Sequence, residues 1–172
     1  LNGLGLNYEV KIIDDIDESY PDNLKAAEIP KYLAEHKAQH YSEIIDKKTI
    51  LITADTIVWL ENEVMEKPVD FNDAVRILNK LSGKKHTVIT GICLKSKNKS
   101  RTFSVETDVY FKKLSDEEII YYVDNFKPYD KAGAYGIQEW IGYIGIEKIS
   151  GSYYNVVGLP VQKLYTELIN FM

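Results

Sequence analysis

The stretch "ILITADTIVWL", residues 50–60, restricts the fold more than any other part of the chain. It reads as a buried strand, yet it carries one carboxylate, Asp55, in its middle. An unpaired charge taken out of water costs several kcal/mol, or its pKa shifts until the group is neutral. Asp55 therefore needs a partner, which is a structural donor, a metal ion or a substrate.

A chain of 172 residues is the size of one ordinary domain, and it can bury roughly 70% of the surface its unfolded form exposes. Its 45% apolar and 27% charged residues are those of a soluble globular protein, and no apolar run approaches the roughly 20 residues that span a bilayer. No basic region followed by an apolar stretch opens the sequence, and the single cysteine, Cys93, has no second thiol to pair with. A reducing cytoplasm is the expected location. Twenty-one basic against twenty-six acidic residues, a net charge of -5, repel long polyanions and argue against DNA or RNA as a partner. A small phosphate ligand needs only a few local donors and stays open.

Along the chain, "LNGLGLNYEV" reads as a helix tail stopped by Gly3 or Gly5 and followed by a strand over residues 8–13, and residues 14–27 read as loop. Pro30 in the first turn, with Ala34, Ala38, Tyr41 and Ile45 on one face, predicts a helix over residues 28–45. Residues 47–66 give a long strand with a turn at 61–63. The next helix has Asp70 as N-cap, Ala74, Leu78 and Leu81 on its buried stripe, and Gly83 past its end. Residues 86–111 predict a hairpin around "KNKS", with Phe103, Val105, Thr107, Val109 and Phe111 on one face. A third helix opens on a capping box, Ser115 with Glu118, and has Ile119, Ile120, Val123 and Phe126 as its apolar set. A last helix packs inward through Val161, Leu164, Tyr165, Leu168 and Ile169. The class is α/β or α+β, a mixed twisted sheet flanked by helices, in one domain over residues 1–172.

Four polar features strain a purely structural reading. Asp55 lies in an apolar strand, Glu28 precedes a helix, Lys67 stands before a stiffening proline, and "DKAGAYGIQ" places Lys131 and Gln138 in a glycine-bearing loop. Gly133 and Gly136 would let backbone N–H groups approach a ligand. Acids, lysines and an open loop suit a metal-bound polyphosphate. Magnesium prefers one or two carboxylates with water and phosphate oxygens, so Glu28 and Asp55 would anchor it, the lysines would supply countercharge, and Asp55 would take a proton from the attacking water. The bland readings stand beside these. A strand aspartate can be a satisfied structural acid, an acid before a helix can serve its dipole, Lys37, Lys67 and Lys131 can be solvated charges, and Gln138 can bond loop backbone. His36 and His40 lack the acid of an HExxH zinc pair, Cys93 reads as core, and neither GxSxG nor a GxxxxGK[ST] loop occurs. Tyr153 and Tyr154 could stack on a base or pack.

The stretches "TADTIV", "EKPVDFNDAVRILNKLSGKKHTVITG", "DKAGAYGIQ" and "GSYYNVVGLP", backed by "AEIPKYLAEHKA", occur in an order that resembles the Maf-like nucleotide pyrophosphatases, also called septum formation inhibitor Maf. The resemblance covers nearly the whole chain. It implies a cleft between two lobes and hydrolysis of a nucleoside triphosphate to monophosphate and pyrophosphate with a divalent cation, Mg or Mn. Asp55 would then be the proton acceptor, and Thr56 and Gln138 the specificity positions of the branch acting on dTTP and UTP. Lys37, Lys67, Lys131 and Glu28 match polar positions around the phosphates, and a homodimer is left open. The family's SxSPRR motif, whose serine and arginines bind phosphate, precedes a helix ending much like "LNGLGLNYEV". The resemblance therefore implies a phosphate-binding arginine ahead of residue 1, without which activity should be severely reduced. The other expectation is a regulatory protein of cell division whose pocket senses nucleotide with little turnover.

Overall fold

Alternating apolar and polar residues fold the middle of the chain into antiparallel strands that return on tight turns. The computed structural model describes residues 1–13, 16–41, 43, 45–46 and 48–172. Five strands, β1 (Leu51–Leu60), β2 (Glu63–Met65), β3 (Lys85–Lys95), β4 (Ser100–Phe111) and β5 (Ile146–Ser150), form one sheet in the order β2-β1-β3-β4-β5. Among the described residues six helices flank it: α1 (Glu28–His40), α2 (Phe71–Leu81), α3 (Asp116–Phe126), α4 (Trp140–Gly145), α5 (Tyr153–Val157) and α6 (Val161–Phe171). The class is α/β as expected, although every strand pairing among the described residues is antiparallel rather than mixed. The β1–β2 turn shows why: Glu61 and Asn62 both take positive φ, the backbone that suits the twist of a two-residue hairpin. Among the described residues no helix is long and apolar enough to cross a membrane.

The caps form where their spacing placed them. The Asp70 carboxylate accepts the Asp73 N–H at 2.8 Å, and Ser115 and Glu118 exchange side-chain-to-backbone bonds across the first turn of α3. The hairpin β3–β4 buries Thr107, Val109 and Phe111 fully on the face read from alternation. Two helices are rotated from expectation. In α3 the buried set is Ile119, Tyr122 and Val123, while Ile120 and Phe126 are exposed. In α6 it is Leu164, Glu167, Leu168 and Phe171, with Tyr165 and Ile169 exposed. A glutamate on a buried stripe disguises that phase, and it is tolerated because Arg101 at 2.6 Å and Lys163 at 2.8 Å neutralise it.

The N-terminal expectations are corrected. Residues 8–13 form no strand and pair with no strand of the sheet among the described residues; Tyr8, Val10 and Ile12 are exposed. Helix α1 ends at His40, not residue 45, and Ser42 and Ile44 lie outside the described residues. Tyr41 spends its hydroxyl on the N-terminal segment, accepting from the Ile13 N–H at 2.9 Å and donating to the Lys11 carbonyl at 3.1 Å.

Helix α1 lies unusually close to the sheet. A Cβ on Gly91 of β3 would come within 2.2 Å of the Pro30 carbonyl carbon and oxygen, so α1 can settle there only over glycine. The Thr53 hydroxyl then donates to the Ala34 carbonyl at 2.7 Å, locking the helix to β1. Since the clash is with backbone, Gly91→Ala should lower stability by about 3 kcal/mol in urea unfolding, the upper part of the overpacking range. A variant as stable as the parent would show that α1 is free to ride outward.

Candidate active site

The close docking of α1 sets Lys37, one turn beyond Leu33, over the one acid of β1. Thr53, Asp55 and Ile57 face α1, and Lys37 Nζ donates to Asp55 Oδ1 at 2.6 Å. The partner that the strand aspartate required is therefore an ammonium. Asp55 is 13% exposed, and burial raises its carboxyl above the usual range despite the ammonium beside it. Burial also pulls Lys37 down, but hydrogen bonds to two acids outweigh it and leave that lysine above its ordinary value.

The second acid is Glu18, whose Oε1 lies 2.8 Å from Lys37 Nζ and whose Oε2 lies 3.2 Å from Lys67 Nζ. Its local turn explains its position. Ser19 closes on the Asp17 carboxylate through both its N–H and its hydroxyl, and the Tyr20 hydroxyl donates to Glu66 at 3.1 Å. The Lys37 hydrogen bond holds the Glu18 carboxyl below the usual range. Lys67 is carried by the buried Pro68. An alternating row, Asp55, Lys37, Glu18, Lys67, thus runs out from the sheet.

Across from it stands the loop of residues 130–139. Lys131 Nζ is 2.8 Å from Asp130 and 3.2 Å from Glu139, and these bonds raise its pKa against the opposing effect of burial. Gln138 is exposed, with no hydrogen-bond partner among the described residues. The N–H groups of the two glycines themselves are engaged within the fold. Gly133 N–H donates to the Glu66 carbonyl at 3.2 Å and Gly136 N–H to the Tyr122 hydroxyl at 3.0 Å. Glycine is needed at 133 because φ is +71° and a Cβ would lie 2.9 Å from Val58. Below the loop, the buried Tyr135 hydroxyl shares a 2.8 Å hydrogen bond with His86 Nε2.

Between the row and the loop lies a cavity of about 620 Å³ whose lining includes Asp55, Thr56, Lys37, Lys67, Lys131 and Gln138. It opens where β2, paired only to residues Val58, Trp59 and Leu60, leaves the rest of the β1 edge uncovered. Asp55 and Thr56 point to opposite faces of the strand, yet both reach this opening around the bare edge. The Thr56 hydroxyl is already engaged, with Thr90 Oγ1 at 2.8 Å and the Gly158 carbonyl at 3.3 Å. Glu28 is elsewhere: exposed, it accepts the Lys25 N–H at 3.0 Å and does not line the cavity, so the structure does not bring it to Asp55. Glu18 occupies that place, and sequence reading passed it over as loop; its one signal was an acid between a turn-forming Asp-x-Ser and an aromatic anchor. Tyr153 and Tyr154 pack edge to face on each other outside the cavity lining, and Cys93 is buried.

A family model described as Maf-like protein matches residues 1–171. The chain belongs to the Maf-like family. Among its relatives, a Parabacteroides distasonis protein named dTTP/UTP pyrophosphatase is 57% identical over 171 residues, covering 99% of this chain and 89% of that one. A Phocaeicola vulgatus protein of the same name is 59% identical, over 98% of this chain and 87% of the relative. One from Flavobacterium psychrophilum, also of that name, is 52% identical over 97% and 85%.

In this Maf-like chain a buried histidine behind the cavity wall, bonded to Tyr135 of the lining, makes the stability of the fold depend on pH. Burial pushes His86 from 6.5 down to about 4. The unfolded histidine takes its proton near 6.5 and the folded one only near 4, so the associated stability is complete above pH 6.5 and drains as the pH falls through about 4. That loss amounts to roughly 3 kcal/mol. Urea unfolding between pH 8 and pH 4 should show this component in the parent and a flatter acid limb in His86→Gln.

Proposed function

We propose that this chain hydrolyses nucleoside triphosphates, dTTP and UTP foremost, to the monophosphate and pyrophosphate, with a divalent cation held at Asp55 and Glu18. The observation that carries the reading is the Lys37 ammonium seated between those two carboxylates at the edge of a nucleotide-sized cavity. The relatives' names support the same activity.

The site fits a cation of the magnesium type. Two carboxylates already converge on one positive charge, and no cluster of three or more His, Cys, Asp or Glu gathers among the described residues, so water and phosphate oxygens would complete the shell. Bound there, the metal would supply charge neutralisation at the phosphates. Of the two acids, Asp55 is the better proton acceptor, since burial raises it while Glu18 is lowered. Its Oδ2 takes no hydrogen bond among the described residues. Asp55 removes the proton as water attacks the α-phosphorus; the new P–O bond forms as the bond to the β-phosphate oxygen breaks. Lys37, Lys67 and Lys131 meet the charge that gathers on the departing pyrophosphate. Gln138, whose amide both donates and accepts, faces the base. A reducing cytoplasm suits the single buried thiol.

Asp55→Asn keeps the shape and loses the base, so pyrophosphate release should fall about 100- to 10,000-fold while dTTP still binds. An unaltered protein that binds nucleotide and releases no pyrophosphate would instead be a nucleotide-sensing regulator. The acid that joins Asp55 is decided by calorimetric Mn titration with a non-hydrolysable triphosphate present. Glu18→Gln should weaken Mn binding by at least about tenfold, the scale on which even outer-shell partners act. Glu28→Gln should leave it unchanged, and the reverse result would return the metal to Glu28.

A further inference from the structure

Tyr122 lies on the buried stripe of α3, but its hydroxyl is spent wholly on the loop that faces the cavity. It accepts the Gly136 N–H at 3.0 Å and donates to Glu139 Oε2. The other oxygen of Glu139, Oε1, holds Lys131 Nζ at 3.2 Å. Gln138 sits between the two residues that Tyr122 fastens, and it is the polar side chain of that turn left without a partner among the described residues. The turn is also tight, since a Cβ on Gly136 would lie 2.9 Å from the Glu139 carboxyl carbon.

We propose that Tyr122 and Glu139 are positioning residues for base selection: one hydroxyl and one carboxylate bracket Gln138 from both sides and aim its amide, while the same carboxylate steadies Lys131 for phosphate. A long amide side chain on a free turn samples several rotamers and reads no base edge well. On a turn pinned at 136 and 139, only its own torsions remain. Nothing in the bracket touches the reacting phosphorus, so its effect through Gln138 falls on which nucleotide is accepted, and its effect through Lys131 on the binding of all of them. Burial and the Glu139 bond both raise the Tyr122 pKa, so the hydroxyl stays a donor across the working pH range.

The inference rests on the pyrophosphatase reading, and its test separates the two. kcat and KM are measured for dTTP, UTP, CTP and GTP on the parent, Gln138→Ala, Tyr122→Phe, Glu139→Ala and Glu139→Gln. Gln138→Ala sets the scale of lost selectivity. Tyr122→Phe keeps the ring against Phe126, and it should lower the preference for dTTP over GTP about tenfold, through KM rather than kcat. Glu139→Ala, on a half-buried loop position, should lower the same preference by removing the acceptor and also raise KM for every nucleotide by releasing Lys131. Glu139→Gln restores an acceptor for Tyr122 without the charge on Lys131, so it should recover the preference while KM rises for every nucleotide alike. Should Tyr122→Phe not fold, the Glu139 pair alone decides. Unchanged ratios in Glu139→Ala, or equal losses on all four nucleotides, overturn the proposal and leave the bracket a packing device. An unaltered protein that turns over none of them sinks the underlying reading instead.

Discussion

The 2.6 Å contact between Lys37 and Asp55 allows a charged residue to sit inside β1, and much of the molecule is arranged to deliver it. A lysine can reach a strand acid only if its helix lies low on the sheet, and α1 lies low because Gly91 offers no side chain beneath Pro30. Thr53 then fixes the lateral position of the helix through the Ala34 carbonyl. Sequence, packing and chemistry meet in that chain of causes: a glycine in β3 sets the height of α1, and that height sets an ion pair at the mouth of the cavity. Removing one partner from such a buried pair leaves an uncompensated charge, which costs far more than the pair itself gains.

Where β2 stops matters as much. Had β2 paired along the whole of β1, Asp55 and Thr56 would serve two separate faces of a closed sheet. Because pairing ends at Val58, residues of both strand faces, Asp55 and Thr56, line one cavity together with Lys37 of α1 and the loop of residues 130–139. Each lysine of the cavity lining is held by acids: Lys37 by Asp55 and Glu18, Lys67 by Glu18, and Lys131 by Asp130 and Glu139.

Much of this was legible locally. The caps at Asp70 and Ser115, the hairpin of residues 86–111 and the oddity of Asp55 depend on spacings of a few residues, which carry their own physics. The errors arose where an element's surroundings set the answer. Residues 8–13 alternate like a strand, but alternation supplies no neighbouring edge. The inward face of α6 runs through Glu167 rather than Tyr165 and Ile169, because Arg101 of β4 and Lys163 of the same helix make that acid a core residue. Tyr122 was overlooked for the same reason: its importance lies in a hydroxyl that reaches a loop fourteen residues away.

By itself the sequence determined that Asp55 needs a partner, a structural donor, a metal ion or a substrate, because an acid in an apolar strand is costly whatever surrounds it. Only the tertiary structure decided which groups meet. It brought Glu18 rather than Glu28 to Lys37, and it placed Glu139 and Tyr122 on either side of the loop that carries Gln138. Electrostatic partnership decays over a few ångströms in space, and distance along the chain carries no measure of that.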